Sequence, residues 1–165
     1  MGALNTGTLA PDFKLPLLKG GEFSLTEALK RGPVILAFFK ISCPVCQMTF
    51  PYLERIYRSY PQGQYTLVGI SQDKDGNSEA FAREYGITFP LALDDTATYP
   101  VSNAYGLTNV PTTFLISPNG EVQMSVLGWA RGDMEELNER ISRVSGATLN
   151  PLFQPGENVP GFKPG

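Results

Sequence analysis

Apolar positions along this chain change their spacing at definite points, and each change marks an element. Pro33-Val34-Ile35-Leu36-Ala37-Phe38-Phe39 is an unbroken apolar, β-rich run, the pattern of a strand buried on both faces. From Pro44 the spacing lengthens to three and four residues at Phe50, Leu53, Ile56 and Tyr57, which predicts an amphipathic helix. Gln62-Gly63 turns the chain into a second interior strand, Tyr65 to Ile70. Ser78 to Tyr85 reads as a helix ended by Gly86, with Asp75-Gly76-Asn77 before it as loop. Phe89 to Leu93 is a short apolar run with strand character, and Tyr99 to Tyr105 suits a short helix closed by Gly106.

The remaining punctuation is set by turn residues. Ala10 to Leu17 is extended and broken by prolines, as at a sheet edge. Gly20-Gly21 turns, and Ser24-Leu25-Thr26-Glu27 forms a capping box opening a helix to about Lys30. Asn119-Gly120 lies between two apolar runs, so Val122 to Leu127 should return antiparallel to Thr112 to Ile116. Asp133 to Val144 is the last helix. The order β-α-β-α-β, hairpin, helix predicts an α/β domain over residues 1–145, with a central mixed sheet, helices on both faces and an N-terminal extension. Residues 146–165 carry Pro151, Pro155, Pro160 and Pro164 among glycines and read as an extended or loose tail.

Composition narrows the chemistry. The 165 residues are enough for one domain, and 13 basic against 16 acidic side chains offer no footprint for nucleic acid or an anionic membrane surface. No apolar run approaches the roughly 20 residues of a membrane span. The first residues, Met1 to Asn5, lack a signal-peptide pattern, so either the protein works in the cytoplasm or an export signal has been trimmed away. There is no histidine, which removes Ser-His-Asp and Cys-His nucleophilic sites and imidazole metal ligation. Both cysteines lie in one motif, Cys43-Pro44-Val45-Cys46.

A lone C-x-x-C supplies half a zinc site, so no metal is expected, and Gln47 stands where a haem-attachment motif needs histidine. A structural disulfide is the bland reading but would close too short a loop to stabilise much, and two inert buried thiols are a further alternative. A reversible dithiol/disulfide suits the flanks best. Pro44 fits the first helical position, which puts Cys43 at the N-cap beside unpaired N–H groups and the positive end of the dipole. Both favour thiolate over thiol. Cys46 falls one turn further in and should be less exposed. Cys43 would attack a substrate disulfide and Cys46 would resolve the mixed disulfide.

Beyond this spacing, Ala10-Pro11-Asp12-Phe13, the strand into Cys43-Pro44-Val45-Cys46, Pro51, Tyr85 to Pro90, Val110-Pro111-Thr112-Thr113 and Asn119-Gly120 follow in order. Together they resemble a thioredoxin-fold thiol-disulfide oxidoreductase of the TlpA/ResA branch, within the AhpC/TSA superfamily, over roughly residues 8 to 143. The resemblance implies that Pro111 is a cis-proline facing the cysteines and turns the Val110 backbone outward to pair with an extended substrate. It implies that Pro51 is structural, and that Asp73 relays the proton of Cys46, a carboxyl in an apolar cleft being suited to that work. A solvated loop aspartate is the plainer reading of Asp73. Pro44 and Trp129 would share the substrate face, although a lone tryptophan can equally be packing. Lys40 can favour the thiolate by charge or be an ordinary surface lysine. Ser42 departs from the tryptophan usual at that place in thioredoxin-like sites.

By the same resemblance the partners are protein thiols and disulfides and an upstream redox donor. The protein is expected to be a monomer without a cofactor, and an extracytoplasmic location is favoured. Two other functions stay open. A peroxiredoxin-like peroxidase would use Cys46 against peroxide, echoing a Thr-Pro-Val-Cys run, but Phe39 stands where that group has proline. A thioredoxin-fold binding module would carry its thiols incidentally.

Overall fold

Six consecutive residues, Val34–Phe39, are buried without exception, and the fold is organised around that fact. The computed structural model describes residues 2–165; Met1, part of the N-terminal reading above, lies outside the described residues. In chain order the strands are β1 (Lys14–Pro16), β2 (Glu22–Ser24), β3 (Val34–Phe39), β4 (Thr66–Ser71), β5 (Leu91–Leu93), β6 (Thr112–Ile116), β7 (Val122–Leu127), β8 (Trp129–Ala130) and β9 (Phe162–Lys163). The helices are α1 (Leu25–Leu29), α2 (Pro44–Ser59), α3 (Asp75–Tyr85), α4 (Pro100–Ala104) and α5 (Arg131–Ser145).

The central sheet has the order β5-β4-β3-β6-β7, with β4 parallel to β3 and β6 antiparallel to it. Alternate side chains of β3 feed two cores. Ile35, Ala37 and Phe39 face residues of α2, α3 and α5, whereas Val34, Leu36 and Phe38 face α1, α4 and the β1–β2 hairpin. Helices therefore cover both faces, as expected. On the first face Phe50 of α2 stacks among Phe39, Phe81 and Phe89, with ring centroids 4.3 to 5.6 Å apart. Gly69 of β4 makes room for this: a Cβ there would lie 2.6 Å from Leu91 and 3.2 Å from Phe50.

Several boundaries differ from the sequence reading. Glu22–Ser24 pairs with Lys14–Pro16, so the expected edge segment is one arm of a hairpin. The Ser24 hydroxyl does accept the Glu27 N–H at 3.3 Å, as a capping box requires. Helix α3 begins at Asp75 and not at Ser78, because Asp75 in its first turn suits the helix dipole and Gly76 offers no obstacle. Helix α5 likewise starts two residues early, at Arg131.

The largest difference is the segment after Gly146. It is extended, as expected, but not loose. Leu152 and Val159 are buried, Arg55 forms a two-pronged ion pair with Glu157 at 2.7 Å, and β9 pairs antiparallel with β8. The prolines suppress helix and sheet without preventing docking.

Candidate active site

The site lies where β3 runs out of the sheet and α2 begins. Leaving Phe39, the chain makes a tight turn in which the Cys43 N–H donates to the Lys40 carbonyl at 3.3 Å. Cys43 is the N-cap of α2, with extended φ and ψ, and Pro44 occupies the first turn. The Cys43 sulfur accepts the N–H of Cys46 at 3.1 Å, taking the place of a capping oxygen on one of the unpaired helix donors. Cys43 is half-buried and Cys46 is fully buried; the two are unbridged.

Burial and geometry separate the two thiols chemically. Burial pushes the Cys46 thiol well above the ordinary range, the hydrogen bond with Cys43 adds to the shift, and the Asp73 charge holds its proton more firmly still. Cys46 is thus a protonated thiol, sealed from solvent, lying behind a more accessible sulfur.

Opposite the cysteines is the loop into β6. The Val110–Pro111 peptide bond is cis, and the Cys43 thiol donates to the Val110 carbonyl at 3.4 Å. Pro111 is buried and Val110 half-buried. Asp73, just beyond β4, reaches across with its carboxylate and accepts the Ile41 N–H at 2.8 Å. It thereby ties the end of β4 to the turn that carries Cys43. Gln47, which sequence reasoning passed over, ties the same turn to α2 by donating to the Ile41 carbonyl at 2.9 Å. Its position one turn into the helix after the motif was the available signal.

Cys43, Cys46, Pro44, Val110, Pro111 and Asp73 therefore come together from three separate stretches of chain. Two residues do not join them as expected. Trp129, a candidate for the substrate face, is fully buried: its indole N–H donates to the Pro160 carbonyl at 2.7 Å, and its ring packs near Tyr52 and Phe153. The docked C-terminal segment covers it, so in this structure it is packing. Lys40 is exposed and its ammonium lies over the Tyr99 ring, 5.9 Å from the centroid.

Comparison with known proteins places this arrangement. A profile of the AhpC/TSA family matches residues 6–125. The chain belongs to the AhpC/TSA family. Among curated relatives, the thiol-disulfide oxidoreductase ResA of Geobacillus thermodenitrificans is 36% identical over 141 residues, covering 84% of this chain and 79% of that protein. ResA of Bacillus subtilis is 31% identical over 127 residues, covering 76% and 69%. Among solved structures, a thiol:disulfide interchange protein of the thioredoxin family from Chlorobium tepidum superposes with a TM-score of 0.68 at 26% identity, over 84% of this chain and 97% of that one. The fold of this AhpC/TSA member is thioredoxin-like. Among the described residues, no helix is long and apolar enough to cross a membrane.

Proposed function

We propose that this protein is a thiol-disulfide oxidoreductase that exchanges its Cys43/Cys46 pair with cysteines of partner proteins. The observation that carries the reading is the inequality of the two sulfurs across a single helical turn. Cys43 sits at a helix N-terminus and is half-buried; Cys46 is fully buried and keeps its proton.

The exchange then has an order. The Cys43 thiolate attacks one sulfur of a partner disulfide, forming the Cys43–partner bond and releasing the other partner sulfur as thiolate. Cys46 gives up its proton and attacks the Cys43 sulfur, forming the Cys43–Cys46 disulfide and releasing the second partner thiol. Two electrons have passed to the partner. A donor protein that reduces the Cys43–Cys46 disulfide by the same steps in reverse completes the cycle. The Val110 backbone and Pro111 present an edge for an extended partner segment, and Pro44 shares that face. Asp73 takes the Cys46 proton, since its charge already acts on that thiol.

The peroxidase alternative asks Cys46 to meet peroxide as an accessible thiolate, and a fully buried, protonated thiol is poorly suited to that. Insulin reduction tests the reading against it. Cys43→Ser should abolish disulfide reduction, while peroxide consumption that survives Cys43→Ser and is lost in Cys46→Ser would favour the peroxidase.

A further inference from the structure

Residues 161–165 run from the Trp129–Ala130 strand to Val110. The Gly161 carbonyl accepts the Arg131 N–H at 2.9 Å, and Phe162 and Lys163 pair with Ala130 and Trp129. Beyond them the strap runs backbone against backbone. A Cβ on Gly128 would lie 2.3 Å from the Lys163 carbonyl oxygen. One on Gly165 would lie 2.3 Å from the Val110 carbonyl oxygen and 2.6 Å from the Asn109 amide nitrogen. Only glycine permits either approach. The Val110 carbonyl is the same group to which the Cys43 thiol donates. An extended partner lying along Val110 and the Gly165 backbone therefore compete for one place.

The strap is also held unevenly. Up to Pro160 the segment is anchored by buried Leu152 and Val159, the Arg55–Glu157 pair and the Trp129 indole. Residues 161–165 are exposed throughout, Phe162 by 62%, and their ladder is two residues long. Such a segment opens at little cost while the anchor stays closed.

We infer that residues 161–165 are a displaceable strap that holds the Val110 edge and must leave it before a partner lies there. The inference rests on the thiol-disulfide reading.

The test uses the full chain with Gly165→Val, whose side chain would clash with the Val110 carbonyl. Reduced Cys43 is timed with iodoacetamide and with a maleimide carried on polyethylene glycol, and the protein is assayed for reduction of scrambled ribonuclease. The expected result is a rise of about tenfold in the polymer-maleimide rate and in kcat/KM for ribonuclease, with iodoacetamide changed less than about twofold. An unchanged melting temperature and Trp129 emission verify that the anchor stays docked. Should that variant fold poorly, Lys163→Pro, which removes a strap N–H, is expected to give the same pattern. Unchanged rates in a folded variant overturn the strap, and so does a fall in ribonuclease reduction, which would make the segment part of the docking surface. A faster polymer-maleimide rate without ribonuclease reduction in any form would uphold the strap and defeat the thiol-disulfide reading.

Discussion

Two sulfurs three residues apart in sequence, on one turn of one helix, meet different fates because one caps the helix and the other is packed behind it. This inequality has a consequence for pH. Burial raises Cys46 above its ordinary value of 9.0, so the folded state prefers the protonated thiol. The reduced protein keeps that contribution at lower pH and loses it as pH climbs past about 9. Buried Tyr65, pushed up to about 12, destabilises both redox forms in alkali. Denaturation of the two forms side by side should therefore show a steeper alkaline loss for the dithiol. Equal slopes would count against a protonated Cys46. Asp73 admits a sharper test. Asn at this position keeps an acceptor for the Ile41 N–H and removes the charge. If Asp73 takes the Cys46 proton, Asp73→Asn slows decay of the mixed disulfide by about tenfold. A carboxylate acting only as a charge would give the opposite sign, since its removal frees the thiol to ionise.

At the scale of elements, the sheet spacing beneath the site is set by Gly69. Gly69→Ala pushes a methyl against Leu91 and Phe50 and should lower unfolding stability by about 1–3 kcal/mol in urea titration. A neutral result would mean that α2 sits less tightly than the structure shows. The elements were legible in proportion to how local their causes are. The β3 run, the α2 stripe and the Asn119-Gly120 turn each carry their own signal within a few residues, and each is found. The Asp75 start of α3 was hidden because Asp-Gly-Asn serves a loop and a helix first turn alike. The meeting of Cys43 with Val110 spans 67 residues, and resemblance, not periodicity, brought Pro111 to its place opposite. The Asp73–Ile41 tie, across 32 residues, had no local signal at all.

The whole molecule is closed by its C-terminal segment, and here sequence was least informative. Proline and glycine describe what a chain cannot form, not where it docks. The Arg55 guanidinium, with help from the Gln154 N–H, holds the Glu157 carboxyl down to about 2. A lowered carboxylate contributes stability above its ordinary value of 4.5 and loses it as pH falls toward 2. The emission of the single tryptophan, buried beneath this segment, should shift to the red across that interval. Glu157→Gln should remove the acid-dependent part of the shift. An emission maximum that ignores both acid and the substitution would mean the ion pair does not hold the segment. Disulfide exchange at this site depends on the order in which the two cysteines act. Reduced Cys46→Ser protein mixed with a disulfide-bearing protein partner, quenched in acid and digested for mass spectrometry, tests it most directly. A stable covalent adduct joining the partner's cysteine to Cys43 is the predicted result. Absence of any adduct, with Cys43 left as a free thiol, would contradict it.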